Sequence, residues 1–369
     1  MSDSLKRTTY LSKNVGSYAD TIEINGASYD KVDDLRYGTN PHQTAAYYKV
    51  SNNASPIGEI EILKNGKSGL SQTNLEDISY SLNIVKFFDE PICAVMKHVN
   101  PCGVATSTTA LDAYTKARDC DPRAAFGSTI AFNVEVDEDT AKEIMSSFVE
   151  CVVAPAVSEA ALAVFNDQET YKLNRHIRIL KCGDLKQIPR YTGEAEAYHN
   201  TIKTLADGSV VIAEPLTTSL RSIEDLKPAT GSNKACGEVT STVQATEQQL
   251  KDLLAAWYIN INVRSNGVIF VKNGTAISVG TGEQDRVGAI EQAIVKFNTK
   301  YEGDEDIQGS VMSSDGFFPF ADGVETAANA GVTAVIAPAG SLKDADVIKR
   351  ANELGGALYH APERIFSHH

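Results

Sequence analysis

No long apolar run and no paired cysteine motif occurs in these 369 residues, and each absence narrows what the chain is. Without any uninterrupted apolar stretch near the ~20 residues of a membrane span, no spanning helix is expected. The first twenty residues carry an early basic pair but no apolar core and no small-residue cleavage site, so no secretory leader is read there and a cytoplasmic protein is the expectation. Six cysteines (Cys93, Cys102, Cys120, Cys151, Cys182, Cys236) stand without CxxC spacing, which reads as reduced, mostly buried thiols. Positive charge is also scarce: 34 Lys and Arg face 48 Asp and Glu, a net charge of −14. That balance argues against nonspecific binding to nucleic acid or anionic membrane, although a few cations gathered in one cleft still suffice for a phosphate. The chain has no HxxEH, no paired CxxC and no Asp-rich loop, so no metal is expected, and no GxSxG elbow or cysteine signature marks a nucleophile.

What is present is an alternation of Val/Ile-rich runs with amphipathic stretches, the pattern of strands covered by helices, hence an α/β fold. The predicted strands are 92–97, 129–133, 151–156, 176–181, 210–213, 267–271, 275–279, 332–338 and 357–360. Predicted helices are 75–88, 110–118, 139–148, 246–261, 284–297, 324–330 and 344–354. Thr246 and Gln249 form a capping-box pair ahead of Leu250, Leu253, Leu254, Trp257 and Ile261 on one face. Asn273-Gly274 between two strand-like runs signals a tight hairpin. "VVAPAVSEAAL" at Val152 and "VIAPAGSLKDADVI" at Val335 echo each other, with Pro155 and Pro338 half a chain apart, which suggests a duplicated module. The expected organisation is an extension over 1–30, a first module over 31–200 and a second over 201–369, connected by the polar stretch from Lys181 to Ser209.

Four stretches could carry chemistry. In "VMKHVNPCGVA" an apolar run ends in Lys97 and His98, and Pro101 with Gly103 is expected to turn the chain there. An imidazole titrating near neutrality beside an ammonium can divide general acid/base work, and the carboxyl ends of strands are where ligands sit in open α/β sheets. "LRYGTNPHQ" offers Arg36, Tyr37, Asn40, His42 and Gln43, suited to a phosphorylated ring ligand, or simply a solvated loop. Gly280 and Gly282 precede a helix with Arg286 in its first turn, where free backbone N–H groups could hold an anion, and Asn266 lies just upstream. "SSDGFFPFADG" offers Phe317 and Phe318 as a stacking surface beside Asp315 and Asp322, or simply as core aromatics. Arg364 near the end either folds over a site or stands in water.

Their order along the chain is more specific than any one of them. Arg-Tyr-Gly-x-Asn-Pro-His-Gln, Lys-His-Val-x-Pro-x-Gly, Ala-Phe-Gly, Ser-Asn with Gly-x-Gly and Arg, Ser-Asp-x-Phe-Phe-Pro-Phe, Ala-Pro-x-Gly-Ser and a late Arg together resemble the AICAR transformylase domain of the bifunctional purine biosynthesis protein. The resemblance covers roughly Asp34 to His369 and finds no counterpart of the cyclohydrolase domain, so a stand-alone transformylase is expected. It implies duplicated cytidine-deaminase-like three-layer α/β/α modules without zinc, in a homodimer with sites at the interface. It implies transfer of a formyl group from 10-formyltetrahydrofolate to the 5-amino group of AICAR, giving FAICAR on the way to IMP, and a structural potassium ion is known in the family. Carried over by motif, His98 matches the general base and Lys97 the residue that stabilises the transition state or protonates the folate leaving nitrogen. Arg36, Tyr37, Gly127, Glu150, Asn266, Arg286, Phe317 and Arg364 match AICAR contacts, and Asp322 and Ser341 match the folate side. Glu150 stands where some relatives have Asp, and Glu283 and Asp285 depart from the commoner Gly-Gln-x-Ser-Arg, which leaves open a different one-carbon donor. Binding of AICAR without turnover is the other alternative.

Overall fold

The computed structural model describes residues 13, 15–66, 68–235 and 237–368; Cys236 and the first twelve residues of the expected extension lie outside them. A small antiparallel sheet comes first, formed by β1 (Thr21–Ile24), β2 (Ala27–Asp34) and β3 (Ala46–Val50). The first half of the main sheet follows: β4 (Glu61–Lys64), α1 (Gln72–Val85), β5 (Ile92–Lys97), β6 (Asn100–Thr106), α2 (Ala110–Asp119), α3 (Pro122–Ala125), β7 (Ser128–Phe132), α4 (Glu138–Met145), β8 (Val149–Ala154), α5 (Glu159–Asn166) and β9 (Arg178–Lys181). An exposed hairpin of β10 (Thr201–Thr204) and β11 (Val210–Ala213) leads on. The second half contains β12 (Lys227–Pro228), β13 (Thr230–Asn233), β14 (Gly237–Thr240), α6 (Glu247–Asn260), β15 (Val268–Lys272), β16 (Thr275–Gly280) and α7 (Arg286–Lys300). It closes with β17 (Val311–Ser314), α8 (Asp322–Ala330), β18 (Ala334–Pro338), α9 (Asp344–Glu353) and β19 (Ala357–Ala361).

Twelve of these strands make one mixed sheet in the order β12-β19-β18-β17-β15-β16-β6-β5-β7-β8-β9-β4. In each half an antiparallel hairpin (β5–β6, β15–β16) pairs antiparallel to a third strand, from which two more run parallel. The halves meet where Thr275 of β16 pairs with Ala105 of β6. Pro155 follows β8 and Pro338 ends β18, strands that hold corresponding places in the two halves.

Buried strands explain the apolar runs. Along β5, Cys93 and Val95 pack toward α2, α4 and α5, while Ala94 and Met96 pack toward α1 and α6, as a period of two requires. A third cluster joins β15 to α7, α8 and α9 through Phe270, Ile290, Val324 and Ile348. Helices therefore cover both faces, with α1 and α6 side by side on one. The helix α6 has the expected capping box at Thr246 and Gln249, and Leu253 and Trp257 are fully buried. Truncating such a side chain to Ala costs about 2–5 kcal/mol.

The predicted strands at 92–97 and 210–213 have those boundaries, and Asn273-Gly274 turns the β15–β16 hairpin with φ of 48° and 74°. Helix α1 starts three residues earlier than read, because Ser71 accepts the Asn74 N–H and caps it. The small sheet β1–β3 and the strands β4, β6, β10, β12, β13, β14 and β17 are not among the predicted ones; β1–β3 is polar and only half-buried, so its apolar periodicity is faint, and β17 (Val311–Ser314) is buried but short and half serine. The five described cysteines are free, four of them buried.

Candidate active site

The expected turn at Pro101 and Gly103 is not where the chain reverses. Both residues lie within β6, Pro101 beside a register shift at Val95/Met96, where a missing N–H is tolerated. Gly103 is required there because a Cβ would come 1.8 Å from the carbonyl oxygen of Ala117 in α2. The reversal is His98-Val99: Lys97 pairs with Asn100, and the two residues between them have φ of 55° and 62°. Consecutive positive φ values define the tight hairpin turn that Asn-Gly usually makes, and a β-branched Val there is costly, about 1–2 kcal/mol.

Two contacts hold this turn. The Val99 N–H donates to Oδ1 of Asp77 at 2.7 Å, and the Asn100 side-chain amide donates to the His98 carbonyl at 3.2 Å. His98 is exposed, so its ring faces outward, while Lys97 folds back and donates from Nζ to the carbonyls of Gly127 at 2.6 Å and Phe126 at 3.2 Å. Gly127 has φ of 74° and its N–H donates to Phe148, so the loop after α3 is fixed from both sides. A cavity of about 220 Å³ beside Lys97 is also lined by Asn100, Asp121, Thr281, Lys296 and Lys300.

Around this turn the structure gathers Arg36, Tyr37 and Glu150. Arg36 is buried, its guanidinium donates to the Tyr37 hydroxyl at 3.0 Å and lies 4.5 Å from the ring centroid, and its Nε has no partner among the described residues. Burial and then the Arg178 charge lower its pKa, while Tyr37 and Glu150 oppose that. Glu150 accepts from the side chain of Asn74 at 3.2 Å. Asn40 and Gln43 satisfy one another within the loop, and His42 is exposed.

A second group forms in the other half. Arg286 pairs with the fully buried Asp315, whose other oxygen accepts the Gly267 N–H at 2.8 Å. Asn266 donates from its side chain to the Glu283 carbonyl at 2.9 Å. The chain end is anchored: Ile365 donates to the Asp315 carbonyl, Ser265 donates to Ser367, and Arg364, itself exposed, lies 4.3 Å from the Phe366 ring centroid. Gly316 leaves room for Arg286, which would approach an added Cβ to 2.6 Å. Phe317 is 40% exposed, but Phe318 is a core residue at 3%, so the expected pair of stacking rings reduces to one.

At Gly280 and Gly282, where free N–H groups could hold an anion, part of the backbone is already committed. Gly280 ends β16, where a Cβ would come 2.0 Å from the Ala289 carbonyl oxygen; the Gly282 N–H donates to Arg264, and Asp285 caps α7 by accepting the Gly288 N–H at 2.8 Å. The two carboxylates that depart from the commoner pattern are thus committed, Asp285 to the cap and Glu283 to Gln292 at 2.6 Å. Asp322, in the first turn of α8, accepts from its own neighbour Gly323, and Ser341 accepts the Lys343 N–H; among the described residues neither is hydrogen-bonded to the two groups above.

Two residues of this site escaped the sequence reading. Asp77, in the middle of α1, reads as a polar residue on an amphipathic helix, yet it is only 8% exposed. Burial raises its pKa to about 6, against the Val99 N–H, His98 and Lys97, which lower it. Asn100, quoted within the motif but assigned no role, accepts the Arg264 N–H at 3.0 Å and the Thr281 hydroxyl at 2.7 Å, joining the two groups. Among the described residues no group of three or more His, Cys, Asp or Glu is placed to hold a metal ion.

Known proteins share this sequence. The chain is 38% identical to the "Bifunctional purine biosynthesis protein PurH" of Anaeromyxobacter dehalogenans over 93% of its length and 60% of that protein's. It is 37% identical to the protein of the same name from Acetivibrio thermocellus, covering 97% of the chain and 63% of the relative. With that of Gloeothece citriformis it shares 37% identity over 90% of the chain and 58% of the relative. The chain thus spans about three-fifths of the length of these relatives. The sequence model of the AICARFT/IMPCHase bienzyme family matches residues 5–296, and the chain belongs to that family.

Proposed function

We propose that this chain transfers the formyl group of 10-formyltetrahydrofolate to the 5-amino group of AICAR, producing FAICAR and tetrahydrofolate in purine biosynthesis. The observation that supports it most is the His98-Val99 turn, which sets an outward-facing imidazole beside a lysine pinned at two carbonyls. The AICAR amine is a weak nucleophile because its lone pair is drawn into the ring and carboxamide. His98 takes its proton as the nitrogen attacks the formyl carbon. Charge then develops on the formyl oxygen and, as the bond from the formyl carbon to N10 breaks, on N10 of the folate, which takes a proton from Lys97 and leaves as tetrahydrofolate; the proton held by His98 makes up the balance through solvent. With two of its three N–H donors turned to Gly127 and Phe126, Lys97 directs the third at that charge, which is worth a few kcal/mol in a dry site.

In this reading Arg36, Tyr37, Gly127, Glu150, Asn266, Arg286, Phe317 and Arg364 hold AICAR, with the buried Nε of Arg36 supporting an anion contact. Asp322 and Ser341 line the folate side. The two groups belong to one site completed across a homodimer. The repeated strand order supports two cytidine-deaminase-like modules, 31–200 and 201–369, after an extension over 1–30. The family's potassium ion fits one feature: the buried Asn260 Oδ1 has no hydrogen-bond partner among the described residues, and neutral oxygens suit a hard cation held structurally. No helix of the described residues is long and apolar enough to cross a membrane.

The test is a spectrophotometric transfer assay with AICAR and 10-formyltetrahydrofolate, run with and without an added cyclohydrolase. Tetrahydrofolate formation dependent on AICAR is the expected result. AICAR binding without turnover, or turnover only with another donor, would replace this reading.

A further inference from the structure

A tight turn made from His and Val rather than Asn and Gly persists only where its surroundings impose it. Here the imposing group is a buried carboxylate on a different element, reached across the space between α1 and the β5–β6 hairpin. Val99 is the second turn residue, and its N–H has no partner within the hairpin ladder, which pairs Lys97 with Asn100. Asp77 supplies that partner at 2.7 Å. A neutral acceptor would serve the hydrogen bond equally well, so the charge is a separate feature. The ionisable groups facing it are His98 and Lys97 from the end of β5 and its turn, and Glu150 from β8.

We propose that Asp77 is a positioning residue of the transfer site: it clamps the turn that presents His98 and directs a negative charge at the His98–Lys97 pair. This rests on the transfer reaction proposed above. Asp77 touches no substrate in this scheme; it acts through the backbone of Val99 and through its field. Two separable consequences follow, one from the acceptor and one from the charge.

Asp77→Ala removes both and Asp77→Asn keeps an acceptor of the same shape. In the transfer assay Asp77→Ala is expected to lower kcat by about 10- to 100-fold, with KM for AICAR within about threefold of wild type. Asp77→Asn is expected to recover most but not all of kcat, because its amide oxygen restores the acceptor for the Val99 N–H without restoring the charge. Hydrogen exchange of the Val99 amide, read by NMR without substrate, should be fast in Asp77→Ala and slow in wild type and Asp77→Asn. Wild-type kcat in Asp77→Ala, kcat in Asp77→Asn no higher than in Asp77→Ala, or equal Val99 exchange in all three overturns the proposal. If wild type transfers no formyl group from any donor, the functional reading fails, and the exchange measurement still decides whether Asp77 clamps the turn.

Discussion

Asn100 and Arg264, from opposite halves of the chain, are joined by a hydrogen bond of 3.0 Å from the Arg264 N–H to the Asn100 Oδ1, which also accepts the Thr281 hydroxyl. The same side chain donates to the His98 carbonyl. One amide thus ties the Lys97–His98 turn to the loop that presents Asn266. Asn100→Ala is expected to cost about 1–3 kcal/mol, because it leaves the Arg264 N–H without its acceptor and the Thr281 hydroxyl with only the longer contact to the Arg264 carbonyl. Its kcat should fall more than its thermal stability would suggest. Denaturant unfolding together with the transfer assay measures both, and unchanged values in each would show the tie to be idle.

His98→Ala should lower kcat by roughly 10²–10⁴ and leave AICAR affinity within a few-fold, since general base catalysis contributes on that scale. Isothermal titration with AICAR alongside steady-state kinetics separates the two quantities. An undiminished kcat would remove His98 from the reaction.

Arg364→Ala should raise the KM for AICAR by about 10-fold while changing kcat little, if the anchored chain end places this exposed guanidinium over the phosphate. Arg364→Lys should recover only part of the loss, because a point charge does not replace a planar fork. Equal KM in all three proteins would leave the arginine a surface group.

Gly103→Ala and Gly280→Ala should each destabilise the fold by about 2–4 kcal/mol, as each new methyl would meet a helix carbonyl oxygen at 1.8 Å and 2.0 Å. The two strands hold matching places in the sheet, so similar losses are expected. Chemical denaturation checks this, and a loss at only one of them would mean that one helix shifts readily and the other does not.

Lys86 is almost completely buried and donates to Asn83 at 2.6 Å and to Pro189, and burial lowers its pKa to about 7. A lysine whose folded pKa lies below its unfolded value disfavours the fold most at and below pH 7. That penalty shrinks as pH rises from about 7 toward the unfolded value near 10.4. Between pH 7.5 and 9 wild type should therefore gain up to about 1 kcal/mol per pH unit over Lys86→Met, read by urea unfolding at each pH. Parallel stability curves for the two proteins would show that the ammonium is well solvated by its partners.

The α/β class, the buried strands and the capping of α6 were legible because they depend on neighbours in sequence: apolar periodicity, a hydroxyl three residues before an amide, a run too apolar for a surface. So was the Lys-His pair, as a pair of side chains. Its geometry was not, because Pro and Gly mark a turn when read locally, whereas here Gly103 is present to let Ala117 approach and Pro101 sits at a bulge. Nothing in "KHVN" declares a left-handed Val. Tertiary contacts impose it, chiefly a carboxylate on α1 twenty-two positions upstream. Nor is it legible locally that the Gly282 and Gly288 N–H groups are taken, by the Arg264 carbonyl and the Asp285 side chain. By itself the sequence determined which residue types the site has available, since side-chain chemistry is a property of each residue. Only the tertiary structure decided which buried acceptor holds the strained turn and which loops share Asn100, because those hydrogen bonds join segments that have no relation until the sheet assembles.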